Sequence, residues 1–323
     1  HLRYGTYGKN KVDYCHPRKK ASNWKSRTLL IAGNFNMTNN DELFNRLVEV
    51  GQHPKEKVDT VTVLEEMGYN LDKEHERLWK KYDDGERTNQ EIVEEIEANI
   101  DLQSVVSKAC KDFDGGYAMV GTTGYGGAFV ARDPIGIRPA YYYADDEVIV
   151  VASEKPAIKT AFNIDYEAIK EVKPAHALII DKDANFKEVS FIEEQDKKAC
   201  SFERIYFSRG TDPSIHNERK ELGRLLSPQI LTAIGNDDFE NVVFSYIPNT
   251  AETAFSGMMK GMENHLTQKR LELFTKKDTV SQEEVKKMLS LNLRVEKLIV
   301  KDSKLRTFII DDAQRNDFVA HIY

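Results

Sequence analysis

The spacing of apolar positions changes along the chain, and each change marks a predicted element. An apolar run at residues 29–32 is followed by small and amide residues at 33–36, which predicts a buried strand ending in a tight turn. From 39 to 50, apolar residues recur every three or four positions, which predicts a short amphipathic helix. A second helix is predicted to open at Asp59 and Thr60. The charged segment from 71 to 111 continues the helical pattern, with a capping box at Thr88 and Glu91.

Short runs rich in β-branched and aromatic residues follow, separated by Gly, Pro or Asp, and they predict successive antiparallel strands. A short helix is predicted near 157–162. Strands, helices and strands in this order favour a sheet layer packed with helices over a repeating βαβ unit. The predicted strands of this block lie at residues 117–123, 128–132, 140–143, 148–152, 177–180 and 186–189, with RDPIGIRP at 132–139 as a tight connection.

Near Cys200 the pattern of apolar and polar residues changes again. The aromatic run SFERIYFSRG at 201–210 predicts a strand, and a helix is predicted around 218–233. A buried strand at 242–247, a polar turn at 249–252 and a helix at 253–262 follow the layout in which ligands sit at the carboxyl ends of strands. A further helix is predicted after Ser281, with Glu284 as its capping partner.

Length, charge and cysteine content narrow the class of protein. The chain has 323 residues, a formal net charge of -7, and 40% hydrophobic and 31% charged residues. These values predict an ordinary soluble protein of two domains. The mild acidity argues against nucleic-acid binding, and no apolar run is long enough for a membrane span. Cys15, Cys110 and Cys200 form neither a disulfide framework nor a CxxC pair, which favours a reducing cytoplasm.

Three polar positions suggest chemistry, and each also has an ordinary structural interpretation. Asn34, at the end of the first predicted strand, could pair its amide with a neighbouring backbone N–H as an oxyanion hole, or could simply form a turn corner. Arg3, in the Gly-rich segment HLRYGTYG, could hold a carboxylate or lie exposed on a surface strand. Asp59 could receive a ligand ammonium group or cap its helix.

Taken together, these stretches resemble the amidophosphoribosyltransferase family, in a divergent bacterial branch. The resemblance rests on HLRYGTYG, GNFNMTN, FDGGYAMVGTTG, RDPIGIRPA and SFERIYFSRG. It implies an α+β glutaminase domain with the N-terminal-nucleophile αββα sandwich at residues 1–198. A partial type I phosphoribosyltransferase α/β domain would follow at residues 199–323. SFERIYFSRG distinguishes this family from other enzymes that share the glutaminase domain, because it resembles the junction into a phosphoribosyltransferase domain.

The resemblance also implies a reaction. In the family, an N-terminal Cys releases ammonia from glutamine, and the ammonia displaces pyrophosphate from phosphoribosyl pyrophosphate to give phosphoribosylamine in purine synthesis. If the roles of the family's residues are assigned to the matching positions of this chain, Asn34 and the backbone of Phe35 would form the oxyanion hole. The family normally has Gly at the position of Phe35. Arg3 and Thr6 would bind the α-carboxylate end of glutamine, and Asp59 would receive its α-ammonium.

The implied second site is less complete. Lys304 resembles a family lysine that contacts phosphoribosyl pyrophosphate, whereas Asp311 and Asp312 lack the surroundings of the family's acidic pair. Mg²⁺ is implied with the pyrophosphate substrate. Cys200 matches a position that is an iron–sulfur ligand in some members, but we expect no cluster. The resemblance further implies a cytoplasmic homo-oligomer with feedback by purine nucleotides.

Both ends of the chain look like cuts in a longer protein. We expect the nucleophilic Cys to precede His1 and the phosphate-binding loop to follow Tyr323, so this polypeptide by itself would hydrolyse no glutamine. Two alternatives stay open. One is another amidotransferase sharing the glutaminase half, such as a sugar-phosphate aminotransferase or an asparagine-forming ligase. The other is a catalytically dead relative that acts as a binding or regulatory subunit.

Overall fold

A computed structural model describes residues 15–235, 239–276, 280–301 and 319 of the chain. The chain divides into two compact units, His1–Cys200 and Ser201–Tyr323. Each unit is taken by itself below. Arg3, Thr6 and Lys304 lie outside the described residues. Among the residues that are described, every helix is too short or too polar to cross a membrane.

The first unit contains two antiparallel sheets. Their strands are β1 (Arg18–Lys20), β2 (Leu29–Met37), β3 (Gly115–Thr123), β4 (Ala128–Arg132), β5 (Tyr141–Ala144), β6 (Ile149–Ala152), β7 (Lys170–Glu171), β8 (His176–Ile180) and β9 (Phe186–Ser190). The larger sheet has the strand order β1-β2-β3-β4-β8-β9, and the smaller sheet has the order β6-β5-β7.

Five helices accompany these strands in the described part of the unit. The capping box predicted at Thr88 and Glu91 is confirmed, since each side chain bonds the backbone N–H of the other residue. The helices are α1 (Asn40–Glu49), α2 (Asp59–Tyr82), α3 (Asn89–Asn99), α4 (Leu102–Cys110) and α5 (Lys155–Phe162).

The two faces of the large sheet bury different partners. One face packs against α1, α2 and α4 through apolar side chains that recur at every second position, as Leu29, Ile31 and Phe35 do on β2. The opposite face packs Val130 and Leu178 against Tyr142 of the small sheet. Helix α5 packs against β5 and β6. The order helix, sheet, sheet, helix is the αββα sandwich that the sequence predicted.

The tight turn predicted at residues 33–36 is wrong. β2 continues through this segment to Met37, because β3 pairs with it along nine positions, from Leu29 opposite Thr123 to Met37 opposite Gly115. Cross-strand pairing of this length outweighs the turn preference of Gly and Asn. The residues proposed for the oxyanion hole therefore lie on a regular strand.

The RDPIGIRP connection is organised by Asp133, whose side chain is fully buried. Its carboxylate accepts hydrogen bonds from the backbone N–H groups of Ile135, Ile137 and Arg138 within the loop, and of Tyr117 on β3. The neighbouring guanidinium of Arg132 bonds the carbonyl oxygens of the same loop and the carboxylate of Glu171. The loop is thus held from both sides by buried charged groups.

The second unit is built on two helices in close contact. It contains α6 (Pro213–Ala233), α7 (Glu252–Lys276) and α8 (Gln282–Ser290), and a short parallel pair of β10 (Val243–Phe244) and β11 (Arg294–Val295). The order of β10, polar turn and α7 agrees with the α/β layout expected there, although the strand is shorter and the helix longer than predicted. The capping box of Ser281 and Glu284 is confirmed.

The strand predicted at 201–210 is also wrong. Residues Glu203–Phe207 form a π-helical turn instead. Arg219 of α6 donates to the carbonyl oxygens of Arg204 and Ser208, at 3.0 and 2.7 Å, and so holds both ends of the turn. The rings of Phe202 and Tyr206 stack along it with centroids 5.3 Å apart.

Glycines allow α6 and α7 to approach each other. A Cβ atom at Gly257 would lie 1.8 Å from the carbonyl oxygen of Lys220, and one at Gly223 would lie 1.7 Å from that of Ala254. We expect Gly257→Ala to destabilise the second unit by about 1–3 kcal/mol, although Ala is the better helix former, because the helices must separate. Urea unfolding followed by amide hydrogen exchange in α6 and α7 measures this.

The matched control for that change is Ser256→Ala, at the adjacent exposed position of α7. It should leave the unfolding midpoint nearly unchanged. Equal midpoints for Gly257→Ala and Ser256→Ala would contradict the close approach of the two helices.

Candidate functional site

Beside the proposed oxyanion residues, the described strands pair with β2 unequally on its two sides. β1 pairs with β2 only as far as Arg18 opposite Ile31. On the other side, β3 continues past that point, with Ala118 opposite Asn34. Beyond Ile31, the described part of the chain therefore places a strand on one side of β2 only.

The register also decides where the backbone N–H groups of this segment point. Gly33 donates its N–H to Nδ1 of His16 at 3.0 Å, on the side away from β3. Tyr117, which lies opposite Phe35, donates its N–H at 3.3 Å to the carboxylate of Asp133, just past β4. Because bonded and non-bonded pairs alternate along an antiparallel ladder, the Phe35 N–H points away from β3, to the same side as the Gly33 N–H.

Side chains on this stretch of β2 alternate between two environments. The ring of Phe35 is 8% exposed and belongs to the helix-facing core, together with Ile31 and Met37. Asn34 and Asn36 are exposed on the opposite face. The side chain of Phe35 therefore packs in the core, and its backbone N–H lies at the edge of β2. An amide side chain and a backbone N–H from consecutive residues are the donors that an oxyanion hole needs.

Asp59 lies at the start of α2 and is buried, with 3% of its surface exposed. It is the first residue of the helix, and the N-cap position belongs to Val58, so the capping interpretation of Asp59 is wrong. One carboxylate oxygen, Oδ1, accepts from the backbone N–H of Thr60 at 2.7 Å and from its hydroxyl at 3.2 Å. A buried carboxylate at a helix N-terminus is a suitable partner for an ammonium group.

His16 connects the strand and the helix. Its Nδ1 accepts from Gly33, and its Nε2 lies 3.3 Å from the hydroxyl oxygen of Thr60. Its ring also stacks on Phe35, with centroids 5.3 Å apart. The structure thus brings Asn34, Phe35 and Asp59 into one region of the first unit.

Comparison with known proteins finds similar sequences and similar structures. A model of the glutamine amidotransferase domain matches residues 69–160. The amidophosphoribosyltransferases of Lachancea kluyveri and Pasteurella multocida are 26% and 25% identical to the chain, over 67% and 78% of its length. That of Bacillus subtilis is 35% identical over 31% of the chain and 21% of its own length.

Over most of its length, the chain is similar to amidophosphoribosyltransferases, at 25% to 27% identity. The glutamine phosphoribosylpyrophosphate amidotransferase of Bacillus subtilis, solved with ADP and GMP, shares its fold with a TM-score of 0.60 at 23% identity, covering 98% of this chain and 55% of that one. The chain covers 44% and 47% of the Lachancea and Pasteurella amidophosphoribosyltransferases, so it spans about half the length of the curated relatives it matches.

The three cysteines of the chain occupy three different environments. Cys110 is fully buried in α4, and burial raises the pKa of its thiol, which suits packing and not nucleophilic attack. Cys15 is exposed and Cys200 is partly buried. Residues 15–235, 239–276 and 280–301 contain no group of three or more His, Cys, Asp or Glu side chains that could hold a metal ion, so no step is assigned to Mg²⁺.

Two residues of the site, His16 and Thr60, carry roles that the sequence did not reveal. The partners of His16 are 17 and 44 positions away, and no local spacing marks such contacts. Thr60 was noted only as part of a helix opening. A polar residue next to a candidate carboxylate was the one local signal that pointed to it.

Proposed function

We propose that the full-length protein releases ammonia from glutamine in the first unit and transfers it to phosphoribosyl pyrophosphate, yielding 5-phosphoribosylamine, glutamate and pyrophosphate. The observation that carries this proposal is the edge of β2 at Asn34 and Phe35, which His16 connects to the start of α2, where the carboxylate of Asp59 is buried. The similarity to amidophosphoribosyltransferases supports it, since these relatives are named for that reaction.

The first half of the reaction is an acyl transfer. The N-terminal Cys implied by the family attacks the side-chain carbonyl carbon of glutamine, and its α-amine accepts the thiol proton. The carbonyl oxygen becomes an oxyanion that accepts hydrogen bonds from Asn34 and from the Phe35 N–H. The carbon–nitrogen bond then breaks, the amine passes the proton to the leaving ammonia, and water hydrolyses the thioester to glutamate.

Residues around this edge of β2 are proposed to bind glutamine. Asp59 is proposed to receive the α-ammonium group, and burial strengthens that pairing. Arg3 and Thr6 are proposed to bind the α-carboxylate, where a guanidinium can bond both oxygens. Together they would place the side-chain amide of glutamine, not its α-carboxylate, beside Asn34.

The second half is proposed for the second unit. Ammonia would attack C1 of phosphoribosyl pyrophosphate, and pyrophosphate would leave with the electron pair of the broken carbon–oxygen bond. Mg²⁺ would accompany this substrate, and Lys304 would contact it. A cytoplasmic homo-oligomer regulated by purine nucleotides is part of the proposal, supported by a relative that was solved with ADP and GMP.

Asp59→Asn tests the recognition step. The amide keeps an oxygen for the Thr60 N–H but loses the charge, and we expect the KM for glutamine to rise about 10- to 100-fold, as for a lost charge-assisted hydrogen bond. The measurement is glutamate release by the full-length protein at varied glutamine concentrations. Asp83→Asn, the same change at the exposed opposite end of α2, is the control and should leave the KM unchanged.

The result separates the proposed function from its alternatives. A KM that rises in Asp59→Asn and not in Asp83→Asn supports glutamine as the ligand of this site. Absence of glutamate release by the wild-type full-length protein would overturn the enzymatic proposal and favour a binding subunit.

A further inference from the structure

We infer that His16 is a positioning residue of the proposed glutaminase site, which fixes the oxyanion strand relative to the glutamine-binding helix. This inference rests on the proposed function. His16 precedes β1, touches β2 at Gly33 and Phe35, and touches α2 at Thr60. It is a single side chain with contacts to both elements that carry the site.

The hydrogen-bond partners define the protonation state of the ring. The Gly33 N–H can only donate, so Nδ1 of His16 must be an unprotonated acceptor. In a neutral imidazole the proton then sits on Nε2, which can donate to the hydroxyl oxygen of Thr60 at 3.3 Å. The Thr60 hydroxyl donates in turn to Oδ1 of Asp59 at 3.2 Å.

All donors in this series point the same way. It runs from the Gly33 N–H through the His16 ring and the Thr60 hydroxyl, and it ends on the Asp59 carboxylate. Hydrogen bonds aligned in this manner polarise one another. The series fixes the rotamer of Thr60 and the position of one carboxylate oxygen of Asp59, Oδ1.

The same ring also restrains the oxyanion segment. Gly33 and Phe35, which both contact His16, flank Asn34. The backbone of Gly33 also lies close to β3, since a Cβ atom there would be 2.7 Å from the carbonyl oxygen of Ala118. The segment is thus held between β3 and the imidazole. His16 acts on the reaction through the backbone of these residues, without touching the substrate.

The consequence is a defined distance between two groups that contact opposite ends of glutamine. The α-ammonium is proposed to bind Asp59, and the side-chain carbonyl is proposed to meet Asn34. Without the ring, strand and helix could shift independently, and displacements of about 1 Å at a reacting centre cost roughly 100-fold in rate.

The test compares His16→Leu with His16→Gln in the full-length protein. Leu removes both hydrogen bonds, and we expect kcat/KM for glutamine hydrolysis to fall about 10- to 100-fold, with a higher KM as well as a lower kcat. Gln offers an oxygen to Gly33 and an NH₂ group to Thr60, and it should restore most of the loss. Thr60→Val, which interrupts only the helix side, should raise the KM with little change in kcat.

Two further readouts separate positioning from simple loss of folded protein. His53→Leu changes an exposed histidine and should leave kcat and KM unaltered. Amide hydrogen exchange at Gly33 should be faster in His16→Leu and near wild type in His16→Gln. Wild-type kinetics in His16→Leu, or a loss that Gln fails to rescue, would overturn the inference while leaving the glutaminase proposal standing. Absence of glutamate release by the wild-type protein would overturn both.

Discussion

Asn34→Ala is expected to lower the kcat of glutamine hydrolysis by the full-length protein about 100- to 1,000-fold, the effect of removing one oxyanion-hole donor. The KM for glutamine should change far less, because the amide acts on charge that develops in the transition state. The substitution removes an exposed side chain from a strand that is otherwise paired along β3, so the fold should be retained. Steady-state glutamate release measures both constants.

Asn36→Ala is the matched control for this prediction. Asn36 is exposed on the same face of β2, two positions further along. Its removal should leave kcat nearly unchanged. Phosphoribosylamine formation from free ammonia provides a second control, since it bypasses glutamine and should survive in Asn34→Ala. Near-normal glutamine hydrolysis in Asn34→Ala would show that the oxyanion is stabilised elsewhere.

Asp133→Ala is expected to cause the largest loss of stability in the first unit, roughly 3–5 kcal/mol. Four backbone N–H groups would lose their acceptor in the interior, those of Tyr117, Ile135, Ile137 and Arg138. Buried donors without acceptors carry their full desolvation cost. The urea midpoint of the first unit, followed by the exchange of β3 and β4 amides, measures the effect.

The control for Asp133 is Asp145→Ala. Asp145 also accepts backbone N–H groups, those of Glu147 and Val148, but it does so at an exposed turn between β5 and β6. Water can replace that carboxylate, so the loss should be much smaller. Similar urea midpoints for the two variants would contradict a structural role for the buried carboxylate in RDPIGIRP.

Local signals in the sequence were sufficient for the helix starts and for most strands. The capping boxes at Thr88 and Ser281 are complete within four residues, and the structure contains both. Strand β4 occupies Ala128–Arg132, where the run of β-branched and aromatic residues predicts it. Such elements depend on contacts between near neighbours, which a single sequence displays.

The errors come from partners that are distant in the chain. The turn at residues 33–36 was predicted from Gly and Asn, but pairing with Gly115–Thr123 continues the strand. The run 201–210 was predicted as a strand from its aromatic residues. Its helical conformation depends on Arg219, whose guanidinium bonds the carbonyl oxygens of Arg204 and Ser208.

In the candidate site, too, local motifs could be recognised in the sequence, whereas contacts between residues distant in the chain could not. Asn34, Phe35 and Asp59 were named because their local motifs resemble those of a known family. Their proximity could not be inferred, because it depends on the register of β2 and on where α2 begins. His16 stands in no recognisable motif, and only its contacts give it a role.

The most direct test of the account follows the amide nitrogen. The full-length protein is incubated with glutamine labelled with ¹⁵N at the side-chain amide and with phosphoribosyl pyrophosphate and Mg²⁺, and the product amine is analysed by mass spectrometry. The account predicts ¹⁵N in phosphoribosylamine, with glutamate and pyrophosphate formed in equal amounts. Glutamate formation without labelled product would contradict the transfer, and absence of both products would contradict the enzymatic role altogether.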